Sequence, residues 1–227
     1  MPWPRRSVDR VNPLRDSLRP LASLTATPPP FDIDSAPARP AELFVEWLTN
    51  AVDNGQPEPH AMTLSTVDAE GMPDARVLIL KDLTDEGWWF AGSATSAKGR
   101  QLAANPVAAL SVYWPAVGRS VRIRGAVSAA DAERNALDFS RRGPGARAVA
   151  LGSAQSEPLS SRAESEAAVD VAKRDLAAQP HLVSPSWTLW CVTPATVEFW
   201  QSDAERQHLR LRYARQGQSW SQTLLWP

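Results

Sequence analysis

Apolar positions follow two rhythms along this chain, and the places where the rhythm changes divide it. From Pro40 to Asn54, Leu43, Phe44, Trp47, Leu48, Ala51 and Val52 recur at the spacing of one helix face, and Gly55 is placed to stop the helix. Short apolar or alternating runs then take over. Ala61 to Val67 and Ala75 to Leu80 predict a hairpin turned at Glu70-Gly71, and Trp88 to Ala91 a third strand. Ser96 to Ala104 reads as a short helix capped by Ser96 and ended by Asn105-Pro106, followed by strands at Ala108 to Trp114 and Ser120 to Val127. The helical rhythm returns over Asp131 to Arg141, Ala146 to Gln155 and Arg162 to Ala178. Strands at Trp187 to Val192, Thr196 to Trp200, Gln207 to Ala214 and Ser219 to Leu225 close the chain.

Residues 1–39 show no such rhythm. They are rich in Pro and Arg, including Pro28-Pro29-Pro30, which predicts an extended, partly ordered arm that wraps rather than folds. Residues 40–227 then read as one domain with a helical insert at about 129–178. Mostly antiparallel strands with a few helices describe an α+β, mostly β, barrel-like architecture and not a doubly wound sheet.

Composition narrows the partners. The 227 residues carry 24 Lys plus Arg against 25 Asp plus Glu, a net charge of -1, so no overall positive field draws the chain to nucleic acid or to an anionic membrane. Any bound anion must be held by a local cluster. A single cysteine, Cys191, forms no internal disulfide, and His60, His181 and His208 stand too far apart in sequence to suggest a metal. No apolar run approaches the roughly 18 residues of a membrane span, and the start lacks the apolar core of a signal peptide, so cytoplasmic residence is the default expectation.

Four local clusters could carry chemistry. Arg76-Val77-Leu78-Ile79-Leu80-Lys81 is a strand whose alternation sends Arg76 and Lys81 to opposite faces, unless the two cations only mark solvated strand ends. Ser93 to Arg100 places small residues before a helix start with Lys98 in its first turn, a pattern that suits a phosphate and also any serine-capped helix. Gln155-Ser156 offers short polar groups after a helix, as a ligand contact or a plain helix end. In Glu198 to Tyr213, period two puts Arg206, His208 and Arg210 on one strand face beyond Trp200. Such a row is unfavourable unless something anionic sits against it.

These pieces occur in the order of the pyridoxamine (pyridoxine) 5'-phosphate oxidases, and the chain resembles that family from about Pro40 to Pro227. Arg76 to Lys81 is similar to the family's R-V-V-L-L-K strand, Phe90 to Lys98 to its F-Y-T-N-x-x-S-R-K segment, and Tyr113 to Gly125 to its W-x-x-L-x-R-Q-V-x-x-x-G hairpin. Gln155-Ser156 is similar to its Q-S, and Glu198 to Arg210 to its E-F-W-Q-G-x-x-x-R-L-H-D-R. The resemblance implies an antiparallel, Greek-key-like FMN-binding split β-barrel with flanking helices. It implies a homodimer with FMN at the subunit interface, bound by Arg76, Val77, Leu78, Ile79, Leu80, Lys81, Ser96, Lys98, Gln155, Ser156, Trp200 and Arg210. Lys81, Arg142, Arg206 and His208 would contact substrate, with Arg206 and His208 as the catalytic pair. The implied reaction is oxidation of the C4' amine or alcohol of a pyridoxine-type phosphate by dioxygen.

The sequence also departs from that pattern. Ala97 stands where the family has a second phosphate-binding cation, for which Arg100 is the expected partial substitute; Ala91-Gly92 replaces Tyr-Thr and Ser120 replaces a flavin-facing Gln. At the substrate end Asp138 and Ala146 replace Tyr and Ser, Leu209 replaces the usual Asp, and the arm's Arg-x-x-Tyr survives only as Arg15 with Leu18. Two alternatives therefore accompany the leading reading. One is a phenazine-biosynthesis-type FMN oxidase acting on a reduced tricyclic or other non-phosphorylated substrate; the other is a flavin- or PLP-binding protein without turnover.

Overall fold

The computed structural model describes residues 14–227, so residues 1–13 of the predicted arm lie outside the described residues. Within the arm, α1 spans Leu14–Leu18, and the segment that follows is irregular until α2, Pro40–Asp53. Proline at the first turn of α2 needs no amide partner there; of the predicted apolar stripe Leu43, Phe44, Trp47 and Ala51 are buried and Leu48 partly so, whereas Val52 is exposed.

The strands form a nine-stranded antiparallel sheet. In chain order they are β1 (Ala61–Val67), β2 (Pro73–Ile79), β3 (Asp82–Leu83), β4 (Trp88–Ser93), β5 (Val107–Trp114), β6 (Arg119–Ala129), β7 (Trp187–Gln201), β8 (Leu209–Gln216) and β9 (Ser219–Leu224). Helix α3 (Ala97–Ala104) joins β4 to β5, while α4 (Ala132–Ser140), α5 (Pro144–Gly152) and α6 (Arg162–Ala178) lie between β6 and β7. The sheet runs β2-β1-β5-β6-β7-β4-β3, with β8 on β7 and β9 on β8. Strand β4 leads through α3 to β5 yet pairs with β7, which gives the order β5-β6-β7-β4 of a Greek key.

The two strands expected at Trp187 to Val192 and Thr196 to Trp200 are one. Strand β7 runs unbroken and pairs with β6 along its length, with β4 on its first half and β8 on its second. Pro194 sits where the β6–β7 register shifts between Arg124 and Gly125, the bulge at which a missing amide donor is tolerated. Gly125 is required there, since a Cβ would lie 1.9 Å from the Thr193 carbonyl oxygen.

The core lies between the curled sheet and α2. Trp47 meets Phe199 edge-on at 5.1 Å, Phe44 meets Trp88 at 5.6 Å, and Trp114 donates its indole N–H to the Pro59 carbonyl at 2.7 Å. Described residues of the arm contact this core. Phe31 packs edge-on against Trp47, Tyr213 Oη donates to the Pro37 carbonyl at 2.8 Å, and buried Arg119 donates to the Pro29 carbonyl at 3.2 Å.

Candidate functional site

The clearest polar cluster forms at the start of α3. Ser96 caps the helix, its hydroxyl accepting from the Gly99 amide, and the Lys98 side chain folds back toward it. Lys98 Nζ donates to Ser96 Oγ at 3.0 Å and to Gln155 Oε1 at 2.9 Å, while the Ala97 amide donates to Ser156 Oγ at 3.1 Å. Two of the four sequence clusters thus meet. Lys98 is 8% exposed, and burial, helped by the nearby Arg76 charge, lowers its pKa to about 8. Its partners here are neutral oxygens, and among the described residues no carboxylate pairs with it.

Gly92 and Gly99 make this arrangement possible. A Cβ at Gly92 would lie 2.4 Å from Lys98 Cε, so its absence lets the lysine lie against β4; a Cβ at Gly99 would lie 2.1 Å from the Ala94 carbonyl oxygen. Arg76 approaches from β2, held by Asp74, by Thr66 Oγ1 and by Gln101 Oε1 at 2.9 Å. The expected compensating cation, Arg100, is engaged elsewhere: it donates to Glu157 at 2.9 Å and to the Thr95 carbonyl at 2.6 Å. That expectation is corrected, because a paired guanidinium is no spare charge for a phosphate.

The segment from Arg76 to Lys81 divides. Leu78 and Leu80 pack on the core, whereas Val77 and Ile79 on the other face are 72% and 47% exposed. The strand ends at Ile79, so Lys81 lies beyond it and its amide donates to the Trp89 carbonyl at 2.8 Å. Its side chain joins a second cluster. Lys81 Nζ lies 2.9 Å from Asp138 Oδ1, the other Asp138 oxygen accepts from Trp187 Nε1 at 2.9 Å, and the Arg142 guanidinium stacks 4.0 Å from the Trp187 ring centroid. Arg142 and Trp187 line a cavity of about 440 Å³ that also reaches Ser93 and Gln155, and therefore adjoins the Lys98 cluster. Buried Arg142 Nε has no protein partner.

The last cluster corrects the closing strand. Strand β8 begins at Leu209, so Arg206 and His208 lie in the turn before it and do not share a strand face with Arg210. The reason lies in Asp203: its carboxylate accepts the Glu205 and Gln207 amides and its own amide donates to His208 Nδ1 at 3.1 Å, which curls the segment out of the sheet. The neutral imidazole therefore carries its proton on Nε2, and the ring lies 4.9 Å from that of Trp200. Arg206 holds a left-handed φ of 66° and Ser156 one of 77°, conformations that non-glycine residues maintain at a cost and that concentrate at functional positions. The anion demanded by Arg210 is supplied by Glu198, which accepts from Arg210 Nη2 at 2.7 Å and also pairs with Arg122. These residues, with Trp200, Ser120 and Pro227, line a shallow cavity of about 290 Å³.

The family model described as Pyridoxamine 5'-phosphate oxidase matches residues 48–201, and the one described as Pyridoxine 5'-phosphate oxidase C-terminal dimerisation region matches residues 187–227. The chain belongs to the pyridoxamine 5'-phosphate oxidase family. It is 43% identical over 191 residues to the pyridoxine/pyridoxamine 5'-phosphate oxidase of Thermosynechococcus vestitus, covering 83% of this chain and 89% of that one. It is 40% identical over 195 residues to that of Pseudomonas paraeruginosa, covering 85% and 91%. Among solved structures, PhzG from Burkholderia lata, in complex with tetrahydrophenazine-1-carboxylic acid, superposes with a TM-score of 0.78 at 30% identity, covering 86% of this chain and 95% of that one. A pyridoxamine 5'-phosphate oxidase-related, FMN binding protein from Nostoc punctiforme shares the fold, with a TM-score of 0.68 at 18% identity over 85% and 100% of the two chains. The fold is the family's antiparallel split barrel.

Among the described residues of this family member, no helix is long and apolar enough to cross a membrane and no group of three or more metal-type ligands occurs. One chain gathers Arg76, Ser96, Lys98, Gln155 and Ser156, gathers Lys81 with Arg142, and gathers Trp200 with His208. No hydrogen bond or ion pair described here joins the Trp200–Arg210 group to the Lys98 group. Sequence reasoning missed the pairing of Asp138 with Lys81 and of Glu198 with Arg210. Position two before Arg76 on the same strand face pointed to Asp74; the β7–β8 register sets Arg212 opposite Glu198 and Trp200 opposite Arg210, so Glu198 is only a diagonal neighbour of Arg210, and no spacing pointed to Asp138.

Proposed function

We propose that the chain is an FMN-dependent oxidase that converts the C4' amine or alcohol of a pyridoxamine- or pyridoxine-type 5'-phosphate to the aldehyde, with dioxygen reduced to hydrogen peroxide and, for the amine, water taken up and ammonia released. Family membership supports the reaction class, and one observation carries the cofactor: Lys98 is a buried ammonium held only by neutral oxygens beside a helix start. Its environment fits a phosphate. The helix dipole and the Ser156 hydroxyl add to the same preference for an anion, while the Ser96 hydroxyl already donates to the Ser93 carbonyl and Arg76 is paired with Asp74. Bound FMN would supply the two-electron acceptor that neither this site nor its substrate contains.

The chain's own residues orient and cover. Gln155 lies between the Lys98 cluster and the larger cavity, and is suited to hydrogen-bond the flavin. Arg142 with its unpartnered Nε is the candidate anchor for the substrate's anionic end, together with Lys81. His208, with Nδ1 engaged, offers Nε2–H to a substrate oxygen, and Arg206 adds a donor from the same turn. Trp200 and Arg210 belong to the flavin side by their place in the family motif.

Because these groups are separate in one chain, the reading requires a homodimer with FMN at the subunit interface. The dimerisation region at residues 187–227 and the bare apolar row of Val77 and Ile79 on edge strand β2 support that assembly. The test is direct: the purified protein should be yellow, release FMN on denaturation, and take up oxygen with pyridoxamine and pyridoxine 5'-phosphates. A colourless protein that gains no stability from added FMN would refute it.

A second reading keeps the flavin and changes the substrate. The likeness to PhzG, together with an acid against Lys81, favours a reduced tricyclic carboxylate. Comparing peroxide release from that class with release from pyridoxamine 5'-phosphate separates the two.

A further inference from the structure

Arg119, the first residue of β6, is 4% exposed and has no carboxylate partner among the described residues. Its guanidinium is shared among neutral oxygens on three separate segments. Nε donates to Gln201 Oε1 at the end of β7 at 2.8 Å, Nη1 to Asn50 Oδ1 of α2 at 3.4 Å, and Nη2 to the Pro29 carbonyl of the arm at 3.2 Å. The same group lies 4.3 Å from the centroid of the Trp47 ring, against which Phe31 of the arm packs edge-on. Burying a charge among neutral partners is costly, and an apolar side chain would fill the space against Trp47 without that cost. What an apolar side chain lacks is the planar fork, which holds several partners at set distances and angles.

The segment held in this way carries candidate site residues on both sides. In the β6–β7 register Arg119 stands opposite Gln201 and Ser120 opposite Trp200, and the Trp200 ring lies 4.9 Å from that of His208. One residue past Gln201, the Ser202 amide donates to the Gly118 carbonyl at 2.8 Å; a Cβ at Gly118 would lie 2.2 Å from Ser202 Oγ, so glycine lets the two segments close. Asp203 follows at once and shapes the turn that carries Arg206 and His208. The end of β7 is thus pinned between Trp200 and that turn, and the arm, α2 and β6 meet at the pin.

We propose that Arg119 is a positioning residue: its guanidinium ties the seating of the arm at Pro29 to the end of β7, and so sets the Trp200–His208 pair and the turn beside it. The inference rests on the flavin-oxidase reading for the part that His208 and Arg206 play over substrate. A displacement of about 1 Å in such a pair costs about a hundredfold in rate, which is the scale that loss of the tether can reach.

The chain has three histidines, so NMR spectra of the imidazole nitrogens in the full protein with FMN added resolve His208, with His208→Gln as the assignment control. In the parent protein Nδ1 accepts and Nε2 carries the proton; Arg119→Met should release the ring to a mixture of tautomers and leave the other two histidines unchanged. At saturating FMN, kcat/KM for pyridoxamine 5'-phosphate should fall about ten- to a hundredfold in that variant. Arg119→Lys, which keeps the charge but not the fork, should recover part of the loss. Gln201→Leu cuts the tether at β7 and Phe31→Ala loosens the arm at Trp47, so both should move the His208 signal in the same direction, and Gln201→Leu decides the matter if Arg119→Met does not fold. A lower melting temperature with the parental His208 signal and parental kcat/KM would overturn the proposal and leave Arg119 as a core residue, and a parental signal in Phe31→Ala would refute the link to the arm. Absence of turnover in the parent protein would instead count against the oxidase reading, and the His208 spectra would still decide the role of Arg119.

Discussion

Lys98 Nζ lies 2.9 Å from Gln155 Oε1, which ties the start of α3 to the loop after α5 through a buried ammonium without an acidic partner. If this is the flavin phosphate site, Lys98→Met should lower FMN affinity by about ten- to a hundredfold, the scale of one charge-assisted hydrogen bond. Flavin fluorescence quenching measures this. Removing a buried, desolvated charge should leave the apoprotein's melting temperature unchanged or higher.

The depressed pKa of Lys98 gives a pH signature. Burial first, and Arg76 second, bring it from 10.5 to about 8 in the folded chain, so above about pH 8 the lysine must regain a proton to hold a phosphate. FMN affinity should fall as pH rises from about 8, and Lys98→Arg should flatten that dependence. The apoprotein's stability should move in the opposite sense. Between about pH 8 and 10.5 the unfolded chain binds more protons at this position, so Lys98 makes stability rise with pH there.

Gly99 and Gly92 should respond differently to alanine. At Gly99 the added Cβ meets backbone, the Ala94 carbonyl at 2.1 Å, so the loop before α3 must shift and Gly99→Ala should cost about 2 kcal/mol or more and weaken FMN. At Gly92 it meets the end of a flexible lysine, so Gly92→Ala should alter flavin affinity with a loss of less than about 1 kcal/mol. Chemical denaturation and flavin titration separate the two effects.

Glu198 accepts from Arg210 on β8 and pairs with Arg122 on β6, with only 12% of its side chain exposed. Glu198→Ala would leave two guanidiniums facing each other without their common anion. It should destabilise the chain by about 1–2 kcal/mol, because Glu198 is buried but water screens the half-exposed Arg122. Adding Arg122→Ala should recover part of that loss, as a double-mutant cycle in urea would show.

Periodicity made most elements legible, because both the α2 stripe and the alternation of β1 arise from local geometry and one-sided burial. It failed where a long-range contact overrides the local signal. Residues 193–195 read as a break between two strands, yet the bulge at Gly125 carries Pro194 inside β7; Arg206 and His208 read as strand residues, yet Asp203 draws them into a turn. The same limit applies to the site. Lys98 and Gln155-Ser156 were recognisable as separate motifs, and only folding shows that they share hydrogen bonds. Asp138 and Lys81 lie on different elements, so their pairing had no expression in spacing.

Whether these clusters form a flavin oxidase site is decided by the product of a single reaction. FMN-loaded protein in air should convert pyridoxamine 5'-phosphate to pyridoxal 5'-phosphate with one hydrogen peroxide released per aldehyde formed. Protein that binds FMN tightly but yields neither aldehyde nor peroxide from this substrate would not be a pyridoxamine phosphate oxidase.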